Sequence, residues 1–325
     1  MADASPNISE IASTTIKNYS ATLADNVSNG NALLSRLNER GTETADGGET
    51  ILQNLMYAEN GTFQWYSGYD KLDVAASDVI SSAEYQWKQA AVNVTWNGLE
   101  IRIKNAGREQ QHDLLASRIQ VAEITMRNQI SQSIYSDGTG NSGKQLTGLL
   151  AQVALDPATG TVGGINRANF SFWRNNTSGD VADIDTSAAL LNAEMRDMWT
   201  ECSRGGDAPD LIVGDQVLYN RFWESLQDIQ RVQSSTRGVK GFQSLGFNSA
   251  DVVFENSVGQ HASGIRANTM YFLNTDFIHW RPHVSTNMVA MDRIGAINQD
   301  ATVQPIIFAG NLTMSNASLQ GVVYT

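Results

Sequence analysis

Residues 83–138 read AEYQWKQAAVNVTWNGLEIRIKNAGREQQHDLLASRIQVAEITMRNQISQSIYSDG. Two periodicities meet in this stretch. Tyr85 and Trp87, then Val92, Val94 and Trp96, then Leu99, Ile101 and Ile103 alternate with polar neighbours, the period of a half-buried strand. The phase slips at Asn97-Gly98, which predicts a bulge or tight bend. From Arg108 the step changes to three and four: Leu115, Ile119, Ala122, Met126, Ile130 and Ile134 form one apolar seam. Glu109, Arg118, Glu123 and Arg127 lie off that seam, and Asp137-Gly138 supplies a glycine for a left-handed C-terminal cap. The prediction is a β segment feeding a long helix over Arg108–Tyr135.

Working outward toward the N-terminus, β-like sequence begins at Ile51, and Phe63 and Trp65 alternate. The middle, Tyr69 to Ser82, is polar and acidic and suits an exposed tip. The whole reads as a hairpin from about Thr50 to Asn105. Arms of ~20 residues would reach ~60 Å at 3.3 Å per residue, and the helix would run ~42 Å. A globule of this chain length should have a radius of gyration of only about 20 Å. An isolated two-stranded ribbon is marginally stable at best. Its aromatic residues Trp65, Tyr66, Tyr69, Tyr85 and Trp87, accompanied by Lys71 and Lys88, are therefore expected to cover another subunit.

Residues 1–49 are rich in Ser, Thr, Asn and Gly, with Leu33, Leu34 and Leu37 inside one short helical stretch, Asn31 to Arg40. They read either as an arm that orders against partners through those leucines, or as a plain disordered terminus. Beyond the helix and a glycine-rich link the pattern is mixed. Leu146 to Leu155 is apolar, and Thr186-Ser187 caps a helix over Ala188–Cys202 with Leu190, Leu191, Met195, Met198 and Trp199 inward. Leu211-Ile212-Val213 is a short buried strand, and Gln216–Ile229 a further helix. Val252–Phe254, Met270–Leu273, Phe277–Trp280 and much of Val303–Tyr324 read as strands.

Composition excludes several classes. The net charge is −12, and lysines and arginines occur singly, so no basic patch for gripping nucleic acid is present. Such a surface repels DNA, a property useful to the wall of a DNA container, though most acidic proteins have no such role. No apolar run approaches the ~18 residues of a membrane span. Met1 to Glu10 has neither a basic nor an apolar region of a signal peptide, so export is not expected. The single cysteine, Cys202, forbids an internal disulfide, and beside Trp199 it reads as a small core residue.

No catalytic set emerges, and no cofactor or metal is expected. Gly138 to Gln145, GTGNSGKQ, has the glycines and lysine of a phosphate-binding loop. Gln145 stands where a magnesium-holding hydroxyl is required, and a helix precedes it where a strand is needed. His279 and His283 have helical metal-ligand spacing, but Pro282 opposes a helix there. His112 and His261 stand apart. No G-x-S-x-G elbow occurs. Asp183 and Asp185 lie in polar sequence where solvation explains them, and the Asn-x-Ser/Thr sequons have no meaning without export.

The order of parts is polar arm, long hairpin, spine-like helix, glycine link, α/β unit and returning strands. That order resembles the major capsid proteins of tailed bacteriophages, the Hong Kong ninety-seven fold. Lys144-Gln-Leu-Thr-Gly-Leu-Leu150 resembles the segment entering that family's axial domain. Pro209-Asp-Leu-Ile-Val213, with the helix through Tyr219 and Phe222, resembles its axial core, and Tyr271-Phe-Leu-Asn274 its closing sheet. The resemblance implies an α+β fold with an N-terminal arm over 1–49, an extended loop over 50–106 and a peripheral-domain spine helix over 107–142. An axial domain over 143–280 and return strands over 281–325 complete it.

What the resemblance further implies is a structural protein and not an enzyme. Copies of it would form pentamers and hexamers that close into an icosahedral head around double-stranded DNA, without sequence-specific binding and without a membrane. Assembly would occur in the bacterial host cytoplasm; with no long charged helical leader in this sequence, either a separate scaffolding protein directs it, the favoured reading, or a leader was removed before Met1. A portal would be a partner, with cement proteins as optional ones. Some members weld a loop lysine to a neighbour's asparagine through a glutamate. Lys71 or Lys88 and Asn287 or Asn298 would fit the first two roles, but no glutamate follows Glu255, so no self-crosslinking is expected. The rival readings are a nanocompartment (encapsulin-like) shell, a tail-tube or filament protein, and an α/β enzyme with an unusual arm.

Overall fold

The computed structural model describes residues 30–40, 42–98, 114–179, 181–227, 244–258, 262–295 and 299–325. In chain order the principal elements begin with α1 (Ala32–Arg40), β1 (Thr50–Met56), β2 (Ile80–Gln86), β3 (Lys88–Asn97) and α2 (Leu114–Ile134). Next come β4 (Asn176–Ser178), α3 (Ala188–Glu201), β5 (Leu211–Asp215), α4 (Gln216–Gln227), β6 (Leu245–Phe247) and β7 (Ala250–Glu255). The chain closes with β8 (Thr269–Leu273), β9 (Ile278–Pro282), β10 (Ala301–Met314) and β11 (Gly321–Tyr324).

The first sheet has six strands in the order β4-β11-β8-β5-β7-β6. Its centre, β5, pairs parallel with β7 and antiparallel with β8. Every residue of β5 is buried, because both faces of the sheet are covered. The two-residue alternation divides the work. Ile212, Val252, Met270, Phe272 and Val323 face α3 and α4, meeting Leu191, Met195, Met198, Leu218 and Phe222. Leu211, Val213, Val253, Tyr271, Leu273 and Val322 face the other way, into a larger core with Leu33, Leu37, Ile130, Ile134 and Leu149. Ser187 caps α3, its hydroxyl accepting from the Leu190 amide at 3.4 Å.

The second sheet is built around the fourteen-residue β10. On one side it pairs with β9, and along the other with β3 from Ala301↔Asn97 to Gly310↔Lys88. Val94, Trp96, Ile306 and Phe308 share a core with Ala122, Met126 and Ile130 of α2. Trp280 stacks on Phe308 at 5.3 Å between ring centroids.

Three expectations need correction. Val92, Val94 and Trp96 do lie on a strand, but β3 belongs to the second sheet and not to the hairpin. The hairpin proper is β1 against β2, seven residues each, registered from Thr50↔Gln86 to Met56↔Ile80. Its paired arms are thus ~23 Å long at 3.3 Å per residue, and residues 57–79 between them carry no regular structure. The hairpin also has a core of its own: Ile51, Leu55, Ala83 and Tyr85 pack with Val162, Trp173, Met314 and Ala317. The third correction concerns the arm. Leu33 and Leu37 are buried against the chain's own body, and Leu34 packs half-buried beside them. Leu99, Ile101 and Ile103, the start of the long helix and residues 1–29 lie outside the described residues.

Candidate inter-subunit interface

The segment between β1 and β2 is shaped by short polar bonds that leave its rings outside. The Asn60 side chain accepts from the Thr62 amide at 3.0 Å, an Asx turn. The Ser67 amide donates to the Asp70 carboxylate at 2.7 Å, and Gln64 donates to the Lys71 carbonyl at 2.9 Å. Nothing in that scaffold covers the large side chains. Trp65 is 91% and Tyr69 104% exposed, and Phe63, Tyr66 and Val74 are exposed with them. The Phe63 and Trp65 rings meet edge to face at 5.6 Å. Aromatic side chains bury 150–250 Å² each. The four rings together could therefore contribute on the order of 600–1,000 Å², the scale of one side of a specific interface.

The other sequence-predicted contact residues are placed differently. Tyr85 is 2% exposed, and its hydroxyl accepts from the Met314 amide at 3.3 Å. It is an anchor inside this chain, not a surface for a neighbour, and burial pushes its phenol well above the usual range. Trp87 is half-buried, donating to the Gly48 carbonyl at 2.9 Å and meeting His283 edge to face at 5.5 Å. Lys88 is half-buried as well and its ammonium donates to the Gly143 carbonyl. Lys71 stays exposed in the tip. The arm leucines are covered by this chain, as described above.

The arm helix is tied down by charge as well as by packing. Arg36 and Arg40 reach Asp210 at 3.3 and 2.8 Å, and Arg40 also pairs with Asp276. Asp210 is fixed in turn by the Thr275 amide and hydroxyl, each at 2.7 Å. Farther along, Glu43 pairs with Arg281 and lies 3.3 Å from His279. Sequence reading passed over Asp210 and Arg281. A carboxylate just before a buried strand and a cation within one were the available signals, but their partners lie far off in sequence.

Among the described residues no alternative chemistry assembles. Gly138 to Gln145 follows a helix, and its Asn141 and Ser142 have positive φ, so no strand-loop-helix phosphate cradle forms. Gly138 does adopt the left-handed conformation expected after α2, with φ +78°. His279 lies on β9 and His283 just beyond it, and His283 is occupied with Ser285 and Thr286. His112 and His261 lie outside the described residues. Among the described residues no three His, Cys, Asp or Glu side chains gather to hold a metal. Nor is any helix among them long and apolar enough to cross a membrane. Cys202 is fully buried, and burial pushes its thiol up to about 12. Of the two asparagines named for a crosslink, Asn287 is exposed and Asn298 lies outside the described residues.

Two sheets, a spine helix, a docked arm helix and a loop with exposed aromatic rings make up the described fold. No family profile matches the chain, and no curated protein matches it in sequence. Among solved structures it is similar to the cyanophage A-1(L) capsid subunit, with a TM-score of 0.69 and 17% identity over 94% of this chain and 95% of that one. It is also similar to the capsid of the myovirus XM1, with a TM-score of 0.57 and 13% identity over 95% and 96%. A third is the SrpI encapsulin complex from Synechococcus elongatus, with a TM-score of 0.57 and 8% identity over 93% and 91%. The chain therefore has the α+β fold of tailed-phage capsid subunits, the Hong Kong ninety-seven fold.

Proposed function

We propose that this chain is the major capsid protein of a tailed double-stranded DNA bacteriophage, a structural protein that assembles with copies of itself into an icosahedral head. The observation that carries the reading is the loop tip: Phe63, Trp65, Tyr66 and Tyr69 are held out in water by a fold whose solved relatives include phage capsids. Burial of those rings against a neighbouring copy would recover the hydrophobic free energy that the isolated subunit leaves unused. The assignments that go with the reading are an arm over 1–49, an extended loop over 50–86 carried by β1 and β2, a peripheral domain over 87–142 that takes in β3 and the spine helix, an axial domain over 143–280 and return strands over 281–325. Pentamers and hexamers closing around DNA, a separate scaffolding protein, a portal and optional cement proteins belong to the same proposal. The net charge of −12 suits a wall that encloses DNA without gripping it.

The likeness to the SrpI encapsulin favours one second reading, a nanocompartment shell around protein cargo. Electron microscopy of purified assemblies tests both. Closed icosahedral particles containing double-stranded DNA are expected; particles filled with protein alone would move the assignment to the compartment. A chain that stays monomeric at high concentration and with a phage lysate supplied would overturn both.

A further inference from the structure

Besides the Arg36 and Arg40 pairs at its rim, α1 is held by a buried contact at its first turn. Asn31 caps the helix, its side chain accepting from the Leu34 amide at 2.8 Å and donating to the Ser131 carbonyl at 3.1 Å. The next amide, that of Ala32, donates at 2.7 Å to the carboxylate of Glu255, the last residue of β7. Glu255 is 4% exposed, and Ala32 and Leu33 above it are wholly buried. The groups that face this carboxylate can be named by element. They are the Ala32 N–H of α1, the Tyr135 phenol in the turn after α2, and the Ser263 hydroxyl before β8. Tyr271 of β8 acts on Tyr135 by charge, and Arg266 acts on Tyr271 and sits over the Tyr324 ring at 5.1 Å. None of the three groups at the carboxylate is cationic, and α1's own arginines are engaged at Asp210 and Asp276.

We propose that Glu255 is a proton-operated clasp for the arm: with the proton on, α1 stays docked on its own body, and with the proton off, α1 is released. A buried carboxylate that accepts from a backbone amide and faces neutral groups among the described residues is costly to ionise. Burial pushes Glu255 up to about 7, against the pull of Ala32, Ser263 and Tyr135 in the opposite direction. When α1 lifts away, water reaches the carboxylate and its proton affinity falls back toward the ordinary value near 4.5. The docked state thus binds the proton more tightly than the undocked one. Docking is complete below the ordinary carboxylate range and weakens as pH rises through about 7. The full span corresponds to roughly a three-hundredfold change in the docking equilibrium. The clasp concerns the chain's own arm and stands whether or not copies assemble.

Hydrogen exchange of the full-length chain, read over residues 32–40 at several pH values between 5.5 and 8.5 and corrected for intrinsic exchange, tests it. Protection should fall by roughly thirtyfold across that range, while β5 stays protected. Glu255→Gln keeps the accepting oxygen and removes the charge, so protection of the arm should become independent of pH. Ala32→Pro removes the donated N–H at a position where proline suits a helix start, and should move the midpoint upward, because that N–H favours the ionised form. His261→Gln should leave the profile unchanged. Flat protection in the unmodified chain, or a Glu255→Gln chain with the original pH dependence, would overturn the proposal.

Discussion

The guanidinium of Arg281 donates to the side-chain oxygen of Gln53 at 2.9 Å, joining β9 of the second sheet to the first strand of the hairpin. The same group pairs with Glu43 in the stretch after the arm helix and reaches the Thr313 hydroxyl at 3.3 Å. One largely covered cation therefore ties hairpin, arm and sheet together. Arg281→Met keeps the stem and removes the fork. Hydrogen bonds to charged groups are worth ~1.5–3 kcal/mol, and the exposure of Glu43 discounts its share, so a loss of about 1–2 kcal/mol is expected in urea unfolding. Amide exchange should quicken in Thr50–Met56 and not in Leu211–Asp215. Equal exchange in both segments would show that the arginine does not hold the hairpin.

Tyr85 anchors the other strand of the hairpin, and its two attachments can be separated. Tyr85→Phe removes only the hydroxyl bonded at Met314 and should cost about 1 kcal/mol. Tyr85→Ala also empties the space among Ile51, Val162 and Trp173, and should cost roughly 3–5 kcal/mol. Chemical denaturation of the two variants checks the ordering. Near-unchanged stability in the alanine variant would mean that the hairpin base rests on something other than this chain.

Local pattern made several elements legible. Ser187 before an amphipathic run gave the start of α3, and the unbroken apolar Leu211-Ile212-Val213 gave the central strand, because both signals reside within a few residues. The failures share one cause. Alternation identifies Val92, Val94 and Trp96 as strand, yet the partner strand lies some 200 residues away, at Thr302 opposite Trp96. Likewise Leu33 and Leu37 show an apolar stripe, but whether it meets this body or a neighbour depends on Asp210 and Glu255, distant in sequence. Tyr85 and Trp65 are similar letters in one predicted ribbon, and only the tertiary register separates an anchor from an exposed ring. The exposed tip was readable from its acidic, polar composition.

Gly148 illustrates a constraint that no periodicity reveals. Its backbone angles are ordinary for any residue, so conformation does not require glycine. Space does: an added Cβ would lie 2.5 Å from the Ile134 and Ser136 carbonyl oxygens and 2.6 Å from that of Ser133, at the end of the spine helix. These are backbone atoms and cannot swing aside. Gly148→Ala should therefore destabilise by roughly 2–3 kcal/mol. Gly246→Ala, on an edge strand with nothing within 4 Å, should stay within about 1 kcal/mol of the parent. Thermal or urea unfolding of the pair provides the comparison, and equal effects would refute the close packing at Gly148.

The rings of the loop tip should matter to assembly and not to the subunit. Trp65 and Tyr69 make no contact with the core of their own chain, and surface substitutions of that kind ordinarily change stability by less than ~0.5 kcal/mol. A Trp65→Ser, Tyr69→Ser double variant should therefore unfold at the parent's urea midpoint while failing to form particles in sedimentation. The contrast with Tyr85→Ala is what gives the experiment its force: that variant should lose subunit stability first, and particles only as a consequence. Both variants alter the same hairpin, so a general effect of disturbing it would make them behave alike. Should the tip variant assemble normally, the exposed rings are not the intermolecular contact, and the interface must lie on another face of the subunit.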